Sequence, residues 1–241
     1  MVSLSIFFFI LGTVVGSFLN VIIYRIPKGM SIVKPGSHCP NCGTPIRFYD
    51  NIPIISYIIL KGKCRTCGSR ISPVYPIVEG LTGLVFLSIF IKFHWSIPIV
   101  IKYLILSSLL IAISLIDFQE KVIPDILTIP WIGVGLLATL LIKDLPILQV
   151  LLSTVISGFF LWILRVIFSK LILKREALGE GDIFLIMLIG SFAGLWGVYL
   201  SLLLGSIIAL VAHLIFPDKL KGEIPFGPFL SMGAFIGILT L

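Results

Sequence analysis

The chain has 241 residues, of which 58% are hydrophobic and only 12% charged, with a mean hydropathy of +1.17. A soluble domain carries about 25% charged residues, so the composition excludes a soluble globular fold and points to an all-α polytopic membrane protein. The net charge of +7 does not indicate nucleic acid, because the basic residues are spread among connecting loops, where they act as orientation signals facing anionic lipid.

The first apolar run, Met1–Tyr24, lacks a basic leading segment and a small-residue cleavage site, so it is expected to persist as a span rather than as a cleaved signal. Span one covers Val2–Tyr24, with Gly12 and Gly16 forming a small-xxx-small face for close helix packing. Residues 25–70 are the one sizeable hydrophilic segment. Span two is Ile71–Ile91, with Glu79 inside it, and span three is Ser96–Ile116. Lys102, near the outer end of span three, is expected to snorkel to the interface. After a turn over Asp117–Asp125, span four covers Ile126–Ile142 and span five covers Ile147–Phe168. The uncharged run Ile183–Pro217 is too long for one span and just long enough for two, with the break at Gly194-Leu195-Trp196-Gly197. A polar connector, Asp218–Glu223, leads to span eight, Ile224–Leu241.

Eight spans place every Lys and Arg except Lys92, Lys102 and Lys143 on one side. By the positive-inside rule that side is cytoplasmic, and both termini lie outside. The expected organisation is a first helix (1–24), a cytoplasmic loop domain (25–70) and a seven-helix transmembrane core (71–241). The same parity puts Asp117, Asp125 and Asp182 at the cytoplasmic face.

The four cysteines all fall in that first loop, as Cys39-Pro40-Asn41-Cys42 and Cys64-Arg65-Thr66-Cys67. Paired C-x2-C turns, each followed by glycine (Gly43, Gly68), are suited to one tetrahedral zinc. Four thiolates leave no open coordination position, so the expected zinc is structural. His38 is read as a neighbour of the site and not as a ligand.

Asp182 closes Gly179-Glu180-Gly181-Asp182, where a basic stretch gives way to the long apolar run. A charge at the mouth of a span is expensive to hold. Its plain structural reading is a helix N-cap. Gly179 and Gly181 let the backbone turn tightly or approach another chain closely. The functional reading pairs Asp182 with a second aspartate at the same face, one carboxyl protonated and the other a base toward water, as in aspartic proteases. That partner is Asp117 or Asp125. Asp117 follows an unbroken apolar stretch, whereas Asp125 follows Pro124 and suits the start of a helix. Glu79 is a further carboxylate suspect, with pairing to a Lys or Arg as its plain alternative. Glu120 and Glu180 read as solvated loop charges, and His94 and His213 as isolated structural residues. Two rival functions use the same residues: an ion- or proton-coupled transporter running through the intramembrane carboxylates, and a zinc-bearing membrane scaffold without catalysis.

The ordered set of motifs resembles the type IV prepilin peptidase family. It includes Gly16-Ser17-Phe18-Leu19-Asn20-Val21 with Arg25 and Pro27, both cysteine pairs with Asn51-Ile52-Pro53 between them, and Tyr75-Pro76 with Glu79. It continues with Asp117 through Ile123-Pro124-Asp125, then Gly179-Glu180-Gly181-Asp182, then Ile224-Pro225-Phe226-Gly227-Pro228-Phe229. The resemblance implies a bacterial inner-membrane aspartyl protease. Such an enzyme removes the basic leader of type IV prepilins and type II secretion pseudopilins after a glycine, at the cytoplasmic face. It implies Asp117 and Asp182 as the catalytic pair. It also implies N-methylation of the new N-terminus with S-adenosylmethionine, an activity associated with the cysteine-bearing loop. No motif marks where the methyl donor binds.

Overall fold

The computed structural model describes residues 1–167, 179–215 and 225–241. The expected features at Phe168, Lys170, Lys174, Arg175 and Pro217–Ile224 lie outside the described residues. Among these, the regular structure is helical, with two isolated β-bridges and no strand. The chain forms two compact units, Met1–His94 and Trp95–Leu241.

The first unit is built on α1 (Val2–Arg25) and α3 (Val74–Phe93), with a one-turn helix α2 (Ile55–Ile59) in the intervening loop. The small residues of α1 meet α3 closely. A Cβ on Gly12 would lie 2.7 Å from the Thr82 carbonyl oxygen, and one on Gly16 would lie 2.8 Å from the Glu79 Cα. Two backbones this near leave no room for a side chain, which is the packing expected of a small-xxx-small face. Further along the same seam, Phe8 stacks on Phe90 with centroids 4.4 Å apart. Arg25 ends α1 buried, and its guanidinium donates to the Ser31 and Gly36 carbonyls at 2.9 and 3.4 Å. It thereby folds the following segment back over the helix end.

The second unit contains α4 (Ile97–Glu120), α5 (Ile129–Ile142), α6 (Ile147–Ile167), α7 (Glu180–Ile215) and α8 (Gly227–Thr240). Helix α4 runs one turn past the expected end at Ile116. It closes at Lys121, which adopts the left-handed conformation and donates its N–H to the Asp117 carbonyl at 2.9 Å. Hydropathy marks where the lipid-facing segment stops, whereas Asp117-Phe118-Gln119-Glu120 still forms backbone hydrogen bonds. Asp117 therefore stands inside the last helical turn, not in a loop.

Helix α7 holds two arms, 180–193 and 195–215, joined at Gly194 (φ 62°, ψ −160°). That backbone region is essentially restricted to glycine. The first arm packs on α5 and α6, with Thr139 and Ser153 hydroxyls donating to the Ser191 and Gly190 carbonyls at 3.4 and 3.2 Å. The second arm turns back antiparallel to α8. Trp196 Nε1 donates to Thr240 Oγ1 at 3.0 Å, and Ser201 Oγ donates to the Leu230 carbonyl at 2.8 Å. The break expected at 194–197 is thus a reversal. Among the described residues, six helices are long and apolar enough to cross a membrane. With the two arms of α7 separated and the shorter α8 added, the eight expected apolar segments are present.

Lys102 corrects one expectation. It does not snorkel: it is 1% exposed and its ammonium binds both carboxylate oxygens of Asp144 at 2.9 and 3.0 Å. The short α5–α6 connection brings Asp144 to it, and an enclosed partner removes the need to reach water.

Candidate active site and metal cluster

One end of the second unit gathers Asp117 from α4, Asp182 from α7 and the start of α8. Asp117 and Asp182 are 6% and 8% exposed, and their carboxylates interact electrostatically. Asp182 is the third residue of α7, so it is not the N-cap. Its carboxylate faces back to the amide of Gly179, whose Cβ position lies 3.4 Å from Oδ2. This is the return half of a capping box. Asp117 Oδ2 accepts the backbone N–H of Gly227 at 2.9 Å. Neither carboxylate forms an ion pair with any described residue.

The remaining acids are arranged differently. Asp125 is exposed in a 3-10 turn (Asp125–Leu127) and makes no side-chain cap bond. Of the two aspartates considered as partners for Asp182, Asp117 is the buried one whose charge acts on it. Glu180 is 71% exposed at its side chain and pairs with Arg165 at 2.6 Å. Of the glycines before Asp182, Gly181 lies against the chain leaving α4: a Cβ there would stand 2.5 Å from Ile123 Cβ. Gly181 thus serves close contact between α7 and the chain leaving α4. Sequence reasoning missed Gly227 as a ligand of Asp117. The available signal was Phe226-Gly227-Pro228, a helix start with a free amide and no side chain to cover it.

In the first unit, the cysteines form two knuckles of the same construction. Cys39 N–H donates to Thr44 and Gly43 N–H to Cys39; Cys64 N–H donates to Ser69 and Gly68 N–H to Cys64. Gly43 and Gly68 share a positive φ of 70°, which glycine adopts without strain. All four sulfurs lie within 4.8 Å of one another, and Cys39 and Cys67 Sγ are 3.8 Å apart. Tetrahedral thiolates on zinc, at ~2.3 Å from the ion, stand ~3.8 Å apart. The cluster can therefore hold one metal ion. Hydrogen bonds from the Ser69 hydroxyl and amide lower the Cys67 thiol to about 6. The Cys42 and Asn41 amides lower Cys39. Both shifts favour the thiolate form that metals bind. His38 Nδ1 faces the Gly36 carbonyl at 3.0 Å and is not part of the sulfur cluster.

Among the described residues Glu79 forms no ion pair with a Lys or Arg. Its Oε2 accepts the Ile54 backbone N–H at 2.7 Å. Ile54 has φ 61°, so the carboxylate secures a strained turn at the foot of α2.

The apolar helices define a polytopic membrane protein, and it carries a buried aspartate pair and a four-cysteine cluster able to hold a metal ion. Residues 104–214 match the type IV leader peptidase family, and residues 10–93 match the bacterial peptidase A24 N-terminal domain. The chain is 34% identical over 94% of its length to a prepilin leader peptidase/N-methyltransferase of Neisseria gonorrhoeae, covering 87% of that protein. It is 33% identical over 98% of its length to the enzyme of that name from Dichelobacter nodosus, covering 92% of it. A third such protein, from Klebsiella pneumoniae, is 36% identical over 83% of this chain and 90% of its own. No solved structure gives a significant match. The chain belongs to the type IV leader peptidase family.

Proposed function

We propose that the chain is an aspartic endopeptidase of the bacterial inner membrane that removes the basic leader of type IV prepilins and type II secretion pseudopilins, cutting after a glycine, and then methylates the new N-terminus. The observation that carries the peptidase reading is the buried Asp117–Asp182 pair, held by backbone amides and free of ion pairs with the described residues. A cation bound to either carboxylate would compete with its use as a base. Backbone donors orient a carboxylate without neutralising it.

One aspartate acts as general base toward a water that attacks the scissile carbonyl. The other, protonated, donates to the carbonyl oxygen. As the tetrahedral intermediate collapses, the first aspartate gives the leaving amine the proton it took from water and the second takes a proton back from a hydroxyl of the intermediate, so the pair returns to its starting state without a covalent intermediate. The Gly227 amide keeps Asp117 oriented through the cycle. A substrate whose leader precedes an apolar helix enters sideways from the bilayer, with its scissile bond near the head groups. The end of the bundle bearing both aspartates faces the cytoplasm, as does the cysteine loop, and both termini lie outside.

The cysteine cluster holds a structural zinc, through Cys39, Cys42, Cys64 and Cys67. S-adenosylmethionine, when bound, supplies a methyl group whose bond to sulfur breaks as a bond to the terminal nitrogen forms, leaving a neutral thioether and releasing one proton from the amine.

The test incubates the purified chain in detergent with a prepilin bearing a basic leader, a glycine and an apolar helix. Mass spectrometry is expected to show cleavage after the glycine, and one added methyl group when S-adenosylmethionine is supplied. Intact prepilin after incubation with folded, metal-loaded protein would contradict the reading.

A further inference from the structure

Helix α2 (Ile55–Ile59) is inside out for part of a hydrophilic loop. Its small polar residue faces inward: Ser56 is buried, and its hydroxyl donates to the Tyr49 carbonyl at 2.9 Å. Its isoleucines face outward. Ile55, Ile58 and Ile59 stand at i, i+3 and i+4, on one helix face, and are 54%, 67% and 67% exposed. A loop that met only water would place serine outside and isoleucine inside.

The level of α2 is fixed within the first unit. Helix α3 begins at Val74 and carries Glu79 beyond its first turn, roughly 7.5 Å along the axis from Val74 at 1.5 Å per residue. The Glu79 carboxylate accepts the N–H of Ile54, the residue before α2. Ile54 Cδ1 also lies 3.9 Å from the Cβ position of Gly80. Ile77 and Leu81 bracket Glu79 on α3 and present exposed apolar side chains at the same depth. The chain entering α2 is therefore level with the lipid-facing part of a span, not above its end. The end of α1 agrees. Asn20 donates to the Tyr75 carbonyl at 3.1 Å, which sets the two helix ends side by side. One turn further out, Tyr24 is exposed with the Lys28 ammonium 3.6 Å from its ring centroid, an aromatic and a cation suited to the headgroup layer.

We infer that α2 is an interfacial membrane anchor. Ile55, Ile58 and Ile59 enter the acyl boundary of the leaflet beside the ends of α1 and α3, and Lys61 and Lys63 meet anionic lipid headgroups. Interfacial helices sit ~5–10 Å into that boundary, the depth at which Glu79 holds Ile54. Lys61 and Lys63 are exposed and form no ion pair with the described residues. Lys61 and Gly62, both with positive φ, turn the chain back immediately after α2. A lysine beside buried apolar surface keeps its stem in the apolar layer and its ammonium among phosphates. A second copy of this chain or a substrate helix is the competing cover. The face is one turn long and offers three side chains, far less than the ~800 Å² per partner of a stable protein interface. The cysteine loop is thereby held to the bilayer at its middle as well as through α1 and α3.

The peptidase reading does not depend on this anchor, so the test reads depth and not cleavage. A nitroxide is carried by a non-canonical, azide-bearing amino acid in place of Ile58, Ile59 or Thr66, which leaves the four cysteines untouched. The full chain is reconstituted in vesicles, and collisions of the probe with oxygen and with a water-soluble nickel chelate are compared. At Ile58 and Ile59 oxygen is expected to dominate. At Thr66, exposed on the second knuckle, the order is expected to reverse. Metal content equal to the parent's shows that the labelled loop is intact, and a position that fails this check is replaced by Ile55. Adding phosphatidylglycerol to phosphatidylcholine vesicles is expected to deepen the Ile58 probe, and Lys61→Gln with Lys63→Gln is expected to abolish that shift. Nickel access at Ile58 and Ile59 equal to that at Thr66 would overturn the inference. Shielding of both positions from both reagents would also overturn it, since that marks a protein partner. A parent indifferent to phosphatidylglycerol would remove the headgroup contact.

Discussion

Gly227→Ala probes the site through a single methyl group. The new Cβ would stand 2.7 Å from Asp117 Oδ2, 3.3 Å from its Cγ and 3.4 Å from its Cβ. All three contacts are to one side chain, so the carboxylate yields and the backbone does not. To regain ordinary contact at 3.4 Å, Oδ2 must retreat by roughly 0.7 Å, and the 2.9 Å bond from the Gly227 amide is lost or bent. Displacement of a catalytic group by ~1 Å costs ~10²-fold in rate. Loss of a hydrogen bond to a charged group, ~1.5–3 kcal/mol, gives a similar factor. The expected result is a fall of about 10- to 100-fold in kcat/KM for prepilin cleavage, with the thermal midpoint close to the parent's. Gly227 lies outside the left-handed backbone region, so alanine adds no backbone strain. Gly233→Ala is the contrast: its Cβ would meet the Leu200 and Ser201 carbonyls at 2.8 Å. There stability is lost together with activity. Parent-like cleavage by folded Gly227→Ala would refute the claim that this amide positions Asp117.

Three further outcomes follow from the packing. Lys102→Met strands Asp144 in an enclosed site and is expected to destabilise the chain by ~3–5 kcal/mol, whereas Lys102→Met with Asp144→Leu recovers most of that in thermal unfolding; equal losses in both would refute a buried pair. Cys39→Ser or Cys64→Ser is expected to release the metal, checked by elemental analysis, and unchanged zinc would exclude the cluster as its site. Arg65 holds the Asp50 carboxyl below its ordinary value through hydrogen bonds. A depressed carboxylate stabilises the fold above its unfolded value of about 4, and that contribution is lost as pH falls through the lower folded value. Proteolysis of the loop is therefore expected to rise in acid for the parent, and Arg65→Gln is expected to remove that pH dependence.

Much of this was legible in the chain. Uninterrupted apolar runs located the helices, because a span must satisfy its backbone internally and present apolar side chains to lipid. Parity alone placed Asp117 and Asp182 at one end, and the structure gathers them at one end of the second unit. The glycine at the α7 reversal and the two cysteine knuckles were visible because each turn requires its residue type. Partners remote in sequence were not legible. Glu79 meets Ile54 across 25 residues, Lys102 meets Asp144 across 42, and Gly227 meets Asp117 across 110. Each joins a polar group to a segment whose approach is set by helix packing, which no local pattern encodes. Helix ends shifted for another reason: α4 and α3 are bounded by backbone geometry at Lys121 and Pro73, not by the limits of hydropathy.

Leader cleavage by single and double aspartate variants tests the central claim most directly. Residues acting as one unit lose activity together, so their effects do not add. Asp117→Asn, Asp182→Asn and the double variant are expected to show the same near-complete loss of prepilin cleavage at normal protein levels, while Asp125→Asn cleaves at close to the parent rate. Substantial cleavage by either single variant, or loss in Asp125→Asn alone, would contradict the account.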